Sequence, residues 1–148
     1  MIDIEFDGDA VYAALLDKAD QLCAALEAQV IANLSGEVLN TRSGALVDSI
    51  GSDLEDDGSQ ITASVESSDV PYAGILEYGG KTAAHDIIAV KARALAFMAG
   101  GALRFAKLVH HPGSLIRAYA YMGGALDALS DDIEGGLKDA VLDTLGAE

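Results

Sequence analysis

Three histidines, one cysteine and a carboxylate set among apolar neighbours are the side chains here with most chemistry to offer. His110 and His111 are adjacent, so in an extended chain they point to opposite faces and do not share one metal with His85. No H-E-x-x-H, no cysteine pair and no EF-hand spacing accompanies them, so no metal site is expected. Cys23 is the only cysteine, which leaves no intrachain disulfide, and it falls on the apolar face of a helical pattern, as core packing. Glu77, in Leu76-Glu77-Tyr78-Gly79, has the setting of a general acid, but a carboxylate held by structural partners is the preferred reading. Gly79-Gly80-Lys81-Thr82 lacks the first glycine of a phosphate loop, and no G-x-S-x-G elbow occurs. The expected chemistry is therefore none: no catalytic residue, no cofactor and no metal.

Charge says more. The 148 residues carry 24 acids and 9 bases, a net charge of −15. That balance argues against a general nucleic-acid binder, whose affinity comes from Lys and Arg on phosphates, and against docking on an anionic membrane. The charge is also divided. Residues 81–117 hold six bases (Lys81, Lys91, Arg93, Arg104, Lys107, Arg117) and one acid, Asp86, a net +5, while the rest of the chain is −20. One basic and one acidic surface allow copies to associate head to tail, and head-to-tail contacts that close make rings.

The elements that must carry these residues can be read from periodicity. Tyr12, Leu15, Leu16, Ala19, Leu22, Cys23, Leu26, Val30 and Leu34 recur at steps of three and four. They predict an amphipathic helix of about 26 residues, near 39 Å long, capped by Asp9 and stopped at Gly36. Residues 40–44 read as a turn and 45–50 as a short helical or extended piece. Residues 51–55 and 60–67 read as a strand pair about Asp56-Asp57-Gly58. A short helix over 72–78 opens after Pro71 and closes at Gly79-Gly80. Residues 87–90 form a strand, and 95–98 with 103–109 a hairpin about Ala99-Gly100-Gly101. From Ser114 the pattern is helical to about Leu129, and Ser130-Asp131-Asp132 caps a last helix over 133–145. Grouped strands with short turns predict one α+β domain over 1–148, with a largely antiparallel sheet of four to five strands. Acids at 3, 5 and 7 do not read as a secretory signal, and the apolar run 94–103 is half the length of a membrane span.

Four segments carry a resemblance. They are Arg42-Ser43-Gly44-Ala45-Leu46-Val47-Asp48-Ser49-Ile50; Tyr72-Ala73-Gly74-Ile75-Leu76-Glu77-Tyr78-Gly79; Ile88-Ala89-Val90-Lys91 running on through Arg93 and Leu95 to Phe97; and Val109-His110-His111-Pro112-Gly113, followed by Arg117, Tyr119 and Met122. In this order they resemble the boxes of the neck or tail-completion proteins of long-tailed phages, over residues 42–126. Val90 stands where that family often has proline, and Ala118-Tyr119 where it has Pro-Phe.

The resemblance implies a non-enzymatic virion protein of the neck, made in the host cytoplasm. It implies a ring of identical subunits between the head-completion or connector protein and the tail terminator or tail tube protein, with DNA passing through unbound. An acidic subunit suits a pore along which DNA must slide. Tyr72, Glu77, Lys91, Arg93, Arg104, Lys107 and Arg117 are the expected subunit or partner contacts. A tail terminator ring is the alternative within this class. A small α+β hydrolase or ligand-binding domain using Glu77 and His111 is the alternative outside it, and it requires a pocket with convergent polar groups.

Overall fold

The computed structural model describes residues 7–39 and 44–146. Of the turn expected over 40–44, residues 40–43, with Arg42 and Ser43 of the first segment, lie outside them, and Gly44 has the left-handed φ of 75° that a turn admits. Helix α1 (Gly8–Leu34) leads, followed by the single turn α2 (Ala45–Asp48) and strands β1 (Ile50–Asp56) and β2 (Ile61–Ser67). Helix α3 (Ala73–Tyr78) precedes six short strands: β3 (Gly80–Lys81), β4 (His85–Ile88), β5 (Leu95–Ala99), β6 (Ala102–Ala106), β7 (Leu108–His111) and β8 (Leu115–Ile116). Helix α4 (Tyr121–Gly146) ends the fold. The class is α+β, as expected.

The cap of α1 is Asp7, two residues before the expected one: its carboxylate accepts from Ala10 N at 3.0 Å. Asp9 instead sits in the first turn, where its charge suits the helix dipole. The C-terminal region differs more. Residues 115–116 are a strand, and the two expected helices are one, beginning at Tyr121. Ser130 does not cap a new helix; its Oγ donates to Asp127 O, three residues back, and the helix runs through. Helix α1 lies antiparallel along both halves of α4 and overrides the local stop signal. Asn33 Nδ2 donates to Tyr121 O at 2.8 Å, and Lys18 and Leu22 lie against Gly136.

The strands form four two-stranded antiparallel ladders in place of one sheet. β1 and β2 make a hairpin whose inner face lies on α1. The other three ladders, β3–β8, β4–β7 and β5–β6, stack end to end into a single two-stranded arm over residues 80–116. Its strands pair with each other, so each rung has one partner only. The arm ends in Gly100-Gly101 with φ of 60° and 77°, the two left-handed residues of a tight hairpin turn flanked by the pair Ala99–Ala102.

The core sits where the arm leaves the body. Val30, Leu34, Leu46, Ile50, Ala73, Tyr121 and Ala125 are buried together. They come from the end of α1, from α2, from the start of β1, and from α3 and the start of α4. The joint depends on Gly79. With φ of 73°, a Cβ there stands 2.7 Å from Ala118 N and 3.0 Å from Ile116 O, against backbone that cannot yield. Gly79→Ala is expected to destabilise the fold by about 2–4 kcal/mol. Urea unfolding checks it, and an unchanged midpoint would show that the two segments separate freely.

Candidate assembly interface

Antiparallel register decides which side chains of the arm stand together, because residues directly opposite share a face and alternate residues along a strand do too. Ala96 pairs with Phe105 and Met98 with Leu103, so these four form one face of the tip. Nothing covers them: Met98, Leu103 and Phe105 are 67%, 58% and 68% exposed. Leu95, Phe97 and Ala99 on the other face are half-buried. Three adjacent exposed large apolar side chains on a projecting hairpin are the mark of a contact surface.

Below the tip the register jumps. Ile88 pairs with Leu108 and Leu95 with Ala106, so residues 89–94 stand opposite Lys107 alone. This wide bulge displays Val90, Lys91 and Arg93, all exposed. With Lys81, Arg104, Lys107 and Arg117 they make the arm and its root basic, and all six bases are exposed. Arg117 lies over the Tyr119 ring at 4.7 Å. Among the described residues none of the six is in an ion pair; the pair present is His110 with Asp86, at 2.8 Å across the arm. His111 is on the other face, its ring stacked on His85 at 5.2 Å and its Nδ1 accepting from Gly113 N. Adjacent histidines thus diverge as expected. Among the described residues no group of three or more His, Cys, Asp or Glu is placed to hold a metal ion. His111→Ala is expected to leave tip and body unchanged, with a stability loss of about 1 kcal/mol or less. A melting curve checks this, and a large drop would give His111 a structural role.

Tyr72 and Glu77 separate as their spacing requires. Tyr72 is exposed at the start of α3. Glu77 is 8% exposed, and its position corrects the expectation of a partner-facing carboxylate. Helix α4 begins after Ala120, which has no side-chain acceptor and a φ of 48°. Glu77 supplies what a capping side chain would: Oε2 accepts from Met122 N at 2.9 Å and Oε1 from Gly123 N at 2.8 Å. The Glu77 carbonyl also accepts from Ala120 N, and that of Leu76 from Tyr119 N. Both carboxylate oxygens are committed to backbone, so Glu77 joins the second segment of the sequence pattern to the fourth.

A second surface adjoins the core, with Leu26 packed on the core and lining it too. α1, β2 and α4 part there to leave an apolar groove of about 550 Å³, lined by Leu15, Leu22 and Leu26, Ala63, and Leu126 and Leu137. Cys23 closes its floor, buried, with its thiol pKa raised by desolvation and donating to the carbonyls of Ser64 and Asp53. Acids rim the groove. Asp56 accepts from the Tyr12 hydroxyl, and Asp57 is held by Ser59 and Gln60 in the turn. The hydrogen bond to Asp56, then burial and the charges of Asp56 and Asp57, push Tyr12 up to about 12, while the hydrogen bonds that Asp56 accepts from Tyr12 and from Gly58 N hold its carboxyl below the usual range. The tyrosine's contribution is therefore full below the ordinary phenol value of about 10 and lost as pH rises through about 12. That of Asp56 is present above about 3.9 and lost as pH falls through its lowered value. Ultraviolet titration should show a phenol near 12 that Asp56→Ala returns to about 10. Identical titrations of the two proteins would contradict the bond.

The sequence pattern located the basic segment but not the apolar tip or the groove. Ala96, Met98, Leu103 and Phe105 were legible only as hairpin residues. The available signal was that apolar side chains occupy both faces of the same hairpin. The described lining of the groove is mainly apolar, with Tyr12, Cys23 and Ser59 as its polar-capable members. Among the described residues, no helix is long and apolar enough to cross a membrane. The chain matches no family model, no curated protein and no solved structure.

Proposed function

We propose that this chain is a structural protein of the head–tail interface of a long-tailed phage. In this role it forms the neck or tail-completion ring through which DNA passes and by which the tail joins the head. The observation that carries the proposal is the arm: a basic hairpin with an uncovered apolar tip, attached to a body of opposite charge. An exposed apolar tip on a basic hairpin is the kind of surface an assembly component uses. The four segments that resemble the neck family support the same role. Two of them meet at the joint, where Glu77 of the second holds the amides of Met122 and Gly123 just beyond Tyr119 of the fourth.

Complementation tests the proposal. Purified chain added to heads and tails from an infection lacking it should restore joined, infectious particles. Particles that join equally well without it would remove the role. Turnover of a hydrolase substrate that depends on Glu77 or His111 would replace it with the enzymatic alternative.

A further inference from the structure

The arm and the groove have complementary properties, and among the described residues neither is filled or covered by another part of the chain. The tip presents Met98, Leu103 and Phe105 to solvent, with Arg104 on the opposite face and Lys91 and Arg93 on the bulge below. The groove presents apolar side chains of α1, β2 and α4, and acids stand beside its lining: Asp56 and Asp57 next to Tyr12, and Asp20 and Glu27 near Cys23. Residues 81–117 are +5 against −20 for the remainder, so the arm of one copy and the body of another carry opposite charge.

We infer that the arm tip of one copy seats in the α1–β2–α4 groove of the next, making a head-to-tail contact between identical chains. The occupant is a second copy because the same chain carries both members of the pair, apolar to apolar and basic to acidic. Such a contact is heterologous: every subunit gives one arm and receives another, so it closes into a ring or grows as a filament. Apolar burial at the tip supplies the affinity, and the charges set the encounter rate and register. This inference deepens the ring proposed above and names its contact, while its own test needs no phage particle.

Two variants on exposed positions separate the halves. Phe105→Asp spoils the tip. Ala63→Arg with Leu126→Arg spoils the groove at residues that are themselves exposed, so neither change disturbs the core. The wild-type chain, followed by sedimentation over a concentration series, should associate beyond a dimer, less strongly as salt rises. Each variant alone should associate at least about 30-fold more weakly, the loss of one buried anchor. Mixed, the two should give a one-to-one dimer and stop there, since only one intact arm and one intact groove remain. Wild type that stays monomeric up to about 1 mM, or a mixture that forms no dimer while both variants keep native circular dichroism and melting, overturns the inference. Rings of the Phe105→Asp chain on phage tails would overturn the contact and leave the head–tail role standing. Arm–groove assembly by a chain that never binds tails would do the reverse.

Discussion

Glu77→Ala lowers the stability of the isolated chain by about 2–4 kcal/mol, a fall in Tm of about 6–15 °C. The size follows from what the carboxylate does. Helix α4 is 26 residues long and starts at a residue with no capping side chain. Its Met122 and Gly123 amides, at the second and third helical positions, are satisfied by the two oxygens of Glu77. Removing them strands two part-buried donors, withdraws a negative charge from the positive end of a helix dipole, and opens a void beside Tyr121. Glu77→Gln has nearly the same shape but turns an amide group toward one of the two N–H donors, so it falls between wild type and Glu77→Ala. Asp131→Ala, on an exposed turn of the same helix, is the control and shifts stability by less than about 0.5 kcal/mol. Thermal and urea unfolding check the series. An effect of Glu77→Ala as small as that of the control would contradict the capping role and return Glu77 to the list of partner contacts.

Arg93→Glu combined with Arg104→Glu leaves the monomer's melting temperature within about 2 °C and slows attachment to tails by tenfold or more at low salt. Both guanidinium groups are exposed, and neither is in an ion pair among the described residues. Their reversal therefore costs the fold little. It changes the field of the arm by four charges against a strongly acidic body. Complementary fields act mainly on the encounter, so raising the salt should bring mutant and wild-type rates together by slowing the wild type. Normal attachment by the double mutant at every salt concentration would contradict a role for these charges. A melting temperature lowered by many degrees would show that they are paired inside the subunit.

The parts of the fold set by local pattern were legible, and those set by tertiary contact were not. The three-and-four spacing from Tyr12 to Leu34 placed α1, because one continuous apolar face has no other use. Gly79-Gly80 ended α3 and Gly100-Gly101 turned the arm, because positive φ is a local requirement. Residues 114–120 read as helical from their spacing but extend instead, since Leu115 and Ile116 pair with Lys81 and Gly80 from the far side of the arm. Ser130-Asp131-Asp132 read as a helix start, yet α1 supports α4 on both sides of it. Glu77 was expected as a partner contact as well as a structurally held carboxylate; its actual partners are 45 and 46 residues away, beyond any local signal. The basic segment was visible as composition. That it is one projecting arm emerged only from the shared register of three separate ladders.

The most direct test of the proposed head–tail role is electron microscopy of long-tailed phage tails that lack their neck protein, assembled with and without the purified chain. The account predicts an added ring at the head-proximal end of each tail, present only when the protein is supplied and absent with the Phe105→Asp and Ala63→Arg/Leu126→Arg chains. Tails that look identical with and without saturating wild-type protein would contradict it.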